Sequence, residues 1–420
     1  MAHDPQLREQ LDSARRQTGV PGAAVAILEA ERIQTAETGV ASVATGCPVD
    51  VATRFPILSI TKGYTASLVL WLVQEGRITL DDPVVRHLPE MRLAEASQAQ
   101  AAAMTLRQLL AQTCGLSGLY FPDTGEGEDA LERFLPTLAG VGLVHAPGER
   151  FSYSNPGYVL AGLITERLTG MPWDSALSER LLGPMGLRET GSRLGQLGGA
   201  ALAADHRTLP DGTPEVVPPW RPRSQGPAGS TMFATAADVA RFARHQMSPE
   251  WARLREPQIA FPGPHAESWG LGWALFGWGA SVFGWDGVGL GMRTFLRILP
   301  EHGAAVALLT NGDKGRRVYR ALLPRLLSER FEVGMAPERP ATVAVEDAPD
   351  PAGHLGVYRS AGWDQTVALS EDGRVLLLEG EPLLPTAERG VFVQQGPDVD
   401  YPTVLFDGDY ANVSCFGFRR

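Results

Sequence analysis

Lysine is almost absent from this chain of 420 residues. Lysine and arginine together number 37, but only Lys62 and Lys314 are lysines, which leaves 35 arginines. Alanine and glycine are plentiful as well, as in a GC-rich coding sequence in which arginine has replaced lysine wherever the chemistry allows. A lysine that survives such a bias is a candidate for a task that arginine cannot perform, because arginine does not lose its proton in proteins.

Cysteine, excess positive charge and long apolar runs are also scarce. Cys47, Cys114 and Cys415 are far apart and odd in number, which argues against a cysteine metal site and a disulfide framework. The net charge of −11 argues against nucleic-acid binding. The longest apolar stretch, around residues 68–73, is far shorter than the ~20 residues that cross a bilayer. The polar N-terminus lacks a signal-peptide pattern, so we expect a cytoplasmic protein without a membrane partner.

The composition indicates a folded chain with more than one domain. Hydrophobic residues make up 44% and charged residues 20%, and the length is about three times the ~150 residues of a typical domain. The apolar patterns predict these elements in chain order: a helix at 4–17, strands at 23–28 and 34–40, a buried helix at 58–73, helices and loops from about 77 to 255, strands between 269 and 310, and a helix at 317–331. The segment 334–351 is predicted to be a linker, and 352–420 a small all-β domain.

Ser59 and Lys62 stand at the start of the predicted buried helix. Residues three apart share a helix face, so the hydroxyl and the amine are neighbours. A lysine kept neutral by desolvation can take the serine proton, and the free backbone N–H groups of a helix start favour a developing oxyanion. The alternative is a serine that caps the helix and a solvated lysine. The spacing alone is a weak signal, because the chain has many serines.

Tyr153 and Asn155 form a second pair on a turn-rich segment at 147–158. Two residues apart on a rigid loop, the phenol and the amide can face one cavity. The same Tyr-x-Asn pattern occurs at Tyr410 and Asn412, near the end of the β domain. We interpret that second occurrence as a coincidence of strand patterning.

With these motifs, the chain resembles the serine β-lactamase and penicillin-binding protein superfamily. The resemblance is greatest to the class C-like branch, which holds esterases, D-aminopeptidases and transacylases, and it covers about residues 11–333. The segments that carry it are 20–22, 59–62, 105–110, 114–116, 147–158, 182–187, 270–273, 283–289 and 309–312. Their order and spacing match the family as well as their residue types.

The resemblance implies a fold and a set of roles. The fold is of the α/β (α+β) class: an antiparallel sheet flanked by helices, with a helical insertion at about 77–255, in a catalytic domain at 1–333. Ser59 would be the nucleophile of an acyl-enzyme, with Lys62 and Tyr153 handling its proton and that of the leaving group. Asn155 would hold Lys62 and a substrate carbonyl. The oxyanion hole would be the backbone N–H groups of Ser59 and Val288.

The third motif departs from the family pattern. Lys-Thr-Gly or His-x-Gly is usual there, whereas this chain has Trp285, Asp286 and Gly287. Indole donates a hydrogen bond but carries no charge, so it cannot pair with the carboxylate of a β-lactam. The substitution argues against β-lactamase activity, although Arg293 is a candidate replacement cation. We expect Trp285 and Gly287 to line the substrate site.

Tryptophan is concentrated near this motif. Trp269, Trp273, Trp278 and Trp285 lie in one 17-residue window. Packing between strands explains the first three best, and an apolar wall for the substrate is the alternative. The sequence has no Gly-x-Ser-x-Gly and no His-Glu-x-x-His, which argues against α/β-hydrolases and metallohydrolases. We therefore expect no metal and no cofactor.

The sequence thus predicts metal-free serine acyl transfer on an ester or amide metabolite through Ser59. With water as acceptor the protein is an esterase or amidase. With an amine or alcohol it is a transacylase in a biosynthetic pathway, and the sequence does not decide between them. The competing hypothesis is a binding or regulatory protein that kept the fold but not the activity. The oligomeric state is not indicated.

Overall fold

The computed structural model of the chain describes residues 2–279, 281–347, 349–396 and 398–420, and all elements named below lie there. The strands before residue 311 are β1 Ala2–His3, β2 Gly22–Glu29, β3 Arg32–Gly39, β4 Phe55–Pro56, β5 Thr190–Gly191, β6 His206–Thr208, β7 Pro214–Val216, β8 Phe233–Ala234, β9 Ile259–Ala260, β10 Ser268–Trp269, β11 Ala274–Gly277, β12 Ser281–Gly289, β13 Met292–Leu299 and β14 Ala304–Thr310. The strands after it are β15 Gly356–Ser360, β16 Trp363–Leu369, β17 Leu376–Leu378, β18 Glu381–Pro385, β19 Val391–Gln394, β20 Thr403–Asp407, β21 Tyr410–Val413 and β22 Phe416–Arg419.

The α-helices of these residues alternate with loops and short 3₁₀ turns. They are α1 Pro5–Thr18, α2 Thr61–Gln74, α3 Val84–His87, α4 Glu95–Ala101, α5 Leu106–Leu110, α6 Ala130–Phe134, α7 Asn155–Thr169, α8 Trp173–Leu177, α9 Ala236–Gln246 and α10 Gly315–Phe331. The first begins where its sequence signals predict. Asp4 accepts hydrogen bonds from two free backbone N–H groups of the first turn, Pro5 follows, and Gly19 ends the helix with φ 73°.

A nine-stranded sheet forms the centre of the larger domain, in the order β1-β3-β2-β14-β13-β12-β11-β10-β9. It is antiparallel except for the parallel pairing of β1 with β3. The strands β2 and β14 are buried along nearly their whole length, which requires cover on both faces. The helices α1 and α10 pack together on the sheet, and α9 packs on β2 and β14. The predicted sheet flanked by helices is confirmed.

The helical region lies beside this sheet. Its centre is α7, which packs against α2, α5, α6 and α8. The predicted helical insertion at 77–255 also contains α9, but that helix lies on the sheet. The pattern of α9 could not reveal this, because a helix that packs on a sheet and one that packs on helices show the same apolar stripe.

The C-terminal residues form a closed barrel of eight antiparallel strands, β15 to β22. Closure comes from the pairing of β15 with β22, in which Arg359 is opposite Arg419. A separate apolar cluster, which includes Tyr358, Phe392 and Phe406, fills it. The expected small all-β domain is therefore confirmed. The sequence shows four strand-like runs in this region, at 366–369, 375–378, 391–394 and 403–406, and they correspond to β16, β17, β19 and β20. The other four strands were not predicted.

No helix in the described residues is long and apolar enough to span a membrane. The described residues also contain no cluster of three or more His, Cys, Asp or Glu side chains placed to hold a metal ion.

Candidate active site

Ser59 lies on a tight 3₁₀ turn, Leu58–Ile60, that continues into α2. Leu58 has a φ of 50°, a left-handed conformation that is rare for a residue with a side chain and marks a strained backbone beside the serine. Gly229 lies against this turn, and a Cβ there would come within 2.4 Å of the Leu58 carbonyl oxygen. The serine is half-buried, whereas its neighbours in the turn are buried. The fold thus holds one accessible hydroxyl on a rigid turn.

Lys62 is fully buried next to that hydroxyl. Its Nζ lies 3.1 Å from Ser59 Oγ, 2.7 Å from Asn155 Oδ1 and 2.6 Å from the Ala228 carbonyl oxygen. Among the described residues, no carboxylate lies within ion-pair distance of the amine. Burial holds the pKa of Lys62 well below its usual range. The arrangement therefore favours a neutral amine that can accept the Ser59 proton.

The predicted Tyr153 segment meets this lysine at the N-terminus of α7. Ser154, between the two predicted residues, caps the helix by accepting from the Gly157 N–H at 3.2 Å. Asn155 holds Lys62 through its Oδ1 and donates from Nδ2 to the Gly118 carbonyl at 2.9 Å. The Lys62 amine lies over the Tyr153 ring, 4.7 Å from its centre. The four residues proposed for proton transfer and its support, Ser59, Lys62, Tyr153 and Asn155, are thus brought together.

The Tyr153 hydroxyl accepts a hydrogen bond from Trp285. The indole Nε1 lies 2.9 Å from the phenolic oxygen, and both rings are buried. Tyr401 of the barrel stacks on the Trp285 ring, with ring centres 5.3 Å apart. Burial raises the pKa of Tyr153, and the contacts with Ser59 and Trp285 act in the opposite sense. Trp285 therefore orients the phenol as well as lining the cavity.

Gly287 and Val288 lie on β12 next to the serine turn. A Cβ on Gly287 would come within 2.8 Å of the Ile57 carbonyl oxygen and of Leu58 Cβ, so only glycine allows this approach. β11 pairs with β12 only up to residue 284, which leaves 285–289 at an edge that faces the cavity. Val288 lines the same cavity as Ser59. The assignment of its N–H to an oxyanion hole stays a prediction.

A cavity of about 870 Å³ is lined by Ser59, Tyr153, Asn155, Trp285 and Val288 and is mostly apolar and aromatic. Gly287, which was expected to line the substrate site, is not among the lining residues. Three exposed side chains at its wall come from separate parts of the chain: Trp220, 47% exposed, Leu290, 72% exposed, and Trp363 of the barrel, 53% exposed. Tyr401, Cys415 and Phe416 of the barrel also line it. Sequence reasoning missed these barrel residues, because nothing local in a strand or turn tells which distant surface it will face.

Arg293 does not supply a cation to the cavity. Its guanidinium binds the Asp400 carboxylate at 2.9 Å and the carbonyl of Met292 at 2.9 Å, and it is not among the lining residues. Arg221 does line the cavity, but it forms an ion pair with Asp205. The sequence-based suggestion for Arg293 was therefore wrong, because the partner that neutralises it lies 107 residues further along the chain.

The other tryptophans of the dense window serve packing. Trp269 and Trp273 are fully buried and donate to the Leu110 carbonyl and to Gln246 Oε1. Trp278 is also buried. None of these three lines the cavity. The packing interpretation is confirmed for them.

Comparisons with known proteins agree with this geometry. The sequence profile of the beta-lactamase family matches residues 7–329. Penicillin-binding protein 4 from Amycolatopsis lactamdurans is 36% identical over 374 residues, which cover 84% of this chain and 97% of that protein.

Solved structures extend the similarity to the barrel. The crystal structure of SurE superimposes with a TM-score of 0.80 at 29% identity and covers 99% of this chain and 98% of that one. SurE has also been solved with D-Leu, with 27% identity and the same TM-score. The D-amino acid amidase from Ochrobactrum anthropi SV3 shares the fold, with a TM-score of 0.64 at 24% identity over 77% of this chain and 99% of that chain.

Proposed function

This chain belongs to the beta-lactamase family, the superfamily of serine β-lactamases and penicillin-binding proteins, and from that premise we propose how it acts. It is a serine acyl-transfer enzyme in which the acyl group of an ester or amide substrate becomes bound to Ser59 Oγ. The observation that carries the proposal is the fully buried Lys62 amine 3.1 Å from that oxygen, with no carboxylate among the described residues to keep it charged.

Acylation begins with the transfer of the Ser59 proton to Lys62. The serine oxygen attacks the substrate carbonyl carbon, and the carbonyl oxygen takes up negative charge. The backbone N–H groups of Ser59 and Val288 stabilise that charge. Lys62 and Tyr153 then return a proton to the leaving alcohol or amine as its bond to the acyl carbon breaks. Lys62 regains neutrality, and the ester on Ser59 awaits an acceptor.

The apolar walls of the cavity favour an apolar acyl group. Its walls are aromatic and aliphatic, and the arginine that lines it is already paired with a carboxylate. Neither feature suits recognition of a substrate carboxylate. SurE, which is similar to this chain over its whole length, has been solved with D-Leu. We therefore propose D-leucyl and similar apolar D-aminoacyl esters or amides as the donor class.

The acceptor is either water or an amine or alcohol. Exposed apolar side chains such as Trp220 and Trp363 at the cavity wall lower the polarity of the approach to Ser59. This favours an organic acceptor that can bury its own apolar surface there. We propose transfer to an amine, with hydrolysis as the competing outcome.

The acyl-enzyme is tested by intact mass. Wild type is incubated with a fluorophosphonate, and separately with the p-nitrophenyl esters of N-acetyl-D-leucine and N-acetyl-L-leucine. We expect one adduct on wild type, none on Ser59→Ala, and faster acylation by the D ester. Ser13→Ala, on the exposed face of α1, is the matched control and should match wild type. No adduct on wild type, or an equal adduct on Ser59→Ala, would contradict the proposal.

Acceptor choice is read in the same reaction. An apolar primary amine is added at increasing concentration, and the products are separated by mass. Amide product that grows at the expense of free acid supports transfer. Free acid alone, at every amine concentration, would assign the protein as a hydrolase.

A further inference from the structure

The second Tyr-x-Asn pattern lies beside residues 151–153, the segment that ends at Tyr153 and is called the catalytic loop below. Tyr410 and Asn412 are on β21 of the barrel, and both side chains reach the carbonyl oxygen of Phe151. The Tyr410 hydroxyl donates to it at 2.8 Å and Asn412 Nδ2 at 3.4 Å. All three residues are buried. Phe151 stands two positions before Tyr153, so the pattern is not a coincidence of strand patterning.

The turn between β21 and β22 continues this contact. Ser414 and Cys415 both have positive φ, 49° and 71°, as in the two-residue hairpin turn that matches the twist of its strands. The Cys415 carbonyl accepts from the Tyr153 N–H at 2.9 Å. The Gly417 N–H donates to Ser152 Oγ at 3.0 Å. The barrel therefore binds three successive residues of the catalytic loop, 151–153.

The opposite side of the loop is held by the helical region. The Gln112 carbonyl accepts from the Ser152 N–H at 2.9 Å, and Gln112 Oε1 accepts from the Ser154 N–H at 2.6 Å. The N–H groups thus alternate in direction: Ser152 and Ser154 point to Gln112, and Tyr153 points to the hairpin. The segment behaves like a short strand between two partners.

Space around the segment is tight. A Cβ on Gly417 would come within 2.6 Å of Ser152 Oγ and 2.8 Å of the Tyr410 hydroxyl. The Phe416 ring packs edge-on against the Tyr153 ring, with centres 5.7 Å apart. A shift of the hairpin must therefore move the phenol that hydrogen-bonds with Trp285.

We propose that the β21–β22 hairpin is a positioning element of the active site, with Tyr410 and Asn412 as its positioning residues. They act through the Phe151 carbonyl to hold the Tyr153 hydroxyl where it can pass a proton to the leaving group. The C-terminal barrel is thereby part of the catalytic apparatus rather than an appended domain. This inference rests on the proposed function, because it assigns proton transfer to Tyr153.

Two variants test it in the full chain. Tyr410→Phe removes only the hydroxyl, and Asn412→Ala removes the second donor. A catalytic group displaced by about 1 Å can cost on the order of 100-fold in rate. We expect kcat to fall roughly 10- to 100-fold in the double variant, with KM changed less than about threefold. Asp407→Asn is the control: it breaks an exposed ion pair between the same barrel and Arg150, next to Phe151, without touching the carbonyl.

The ratio of rates on two esters with different leaving groups is a measurement that a general loss of protein stability would not change. N-acetyl-D-leucine is offered as its p-nitrophenyl ester, whose leaving group needs little protonation, and as its ethyl ester, whose leaving group needs a full proton. We expect the hairpin variants to lose several-fold more rate on the ethyl ester, as does Tyr153→Phe. Equal losses of rate on both esters in the hairpin variants would overturn the positioning role alone. So would wild-type rates in both hairpin variants, if Tyr153→Phe still loses more rate on the ethyl ester than on the p-nitrophenyl ester. A wild type that never acylates Ser59 overturns both this inference and the proposed function.

Discussion

At the scale of single residues, the rarity of lysine and the geometry of Lys62 lead to one explanation. Arginine at this position would keep its charge. The lysine amine lies 3.1 Å from Ser59 Oγ in a fully buried position, and burial lowers its pKa well below the usual range. The proposed role therefore requires a basic side chain that can lose its proton there, as lysine can and arginine cannot. Lys314, the other lysine, stands at the start of α10 and is not among the residues that line this cavity.

Lys62→Arg is expected to lose acylation of Ser59 by at least about 1,000-fold, because the guanidinium cannot accept the serine proton. The measurement is the rate of adduct formation with a D-leucyl ester, followed by intact mass. Lys314→Arg makes the same chemical change outside the cavity and should retain the wild-type rate. An acylation rate in Lys62→Arg within tenfold of wild type would refute the role of a neutral amine.

At the scale of elements, the sequence predicted the helices with clear end signals. Asp4 and Gly19 mark the two ends of α1, and the predicted buried helix at 58–73 corresponds to the Ser59 turn and α2. The two strands predicted at 23–28 and 34–40 end within two residues of β2 and β3, because glycine and charged residues stand at their ends. The sequence pattern of α7 did not reveal that Glu166, on this helix, has a raised pKa.

Glu166 on α7 is a half-buried acid. Its Oε1 accepts from the Trp173 N–H at 2.7 Å, and burial raises its pKa to about 7 from the ordinary 4.5. The native protein thus binds one more proton than the unfolded chain between these two values. The stabilisation that comes from this bound proton is fully present below about pH 4.5. It is lost as the pH rises through 7, because the Glu166 carboxyl group ionises more readily in the unfolded chain.

Glu166→Gln removes this ionisation and keeps an oxygen for the Trp173 N–H. From pH 4.5 to pH 8, we expect the free energy of unfolding of the wild type to fall by about 2 to 3 kcal/mol more than that of the variant. The reason is that one unit of pKa corresponds to 1.36 kcal/mol. Urea unfolding at both pH values measures it. The control is Glu179→Gln, which changes an exposed acid in the turn after α8. The same difference between variant and wild type at both pH values would show that Glu166 does not titrate abnormally.

At the scale of the whole molecule, the two domains share one site. The change in composition at the predicted linker was enough to predict a β domain at 352–420. Closure of the barrel could not be predicted in this way, because it depends on pairing between β15 and β22, some 60 residues apart. Sequence patterns report which face of an element is apolar and not which surface it meets. For that reason Ser59, Lys62, Tyr153 and Asn155 could be found from motif spacing, whereas Tyr401 and the barrel hairpin could not.

Buried charges also join the domains. Asp400 of the barrel region lies 3.0 Å from Arg316 of α10 and 2.9 Å from Arg293 of β13. Arg316 also binds Asp286, the neighbour of Trp285, at 2.7 Å, and both are fully buried. Burial opposes the ionisation of Asp286, but the guanidinium groups of Arg297 and Arg316, each 2.7 Å from its carboxylate, outweigh it and hold its pKa well below its usual range. The third motif is thus tied to the barrel through a continuous ion network.

Asp400→Asn tests how far this network holds the domains together. The change removes one negative charge beside two guanidinium groups that are 0% and 12% exposed, so Arg293 loses its Asp400 partner and Arg316 keeps its pairs with Asp286 and Glu338. We expect a loss of roughly 2 to 4 kcal/mol in the free energy of unfolding in urea. Asp407→Asn breaks the exposed pair with Arg150 and should cost less than about 1 kcal/mol, because both groups are then solvated. If the two variants were equally stable, the buried network could not be what binds the barrel to the catalytic domain.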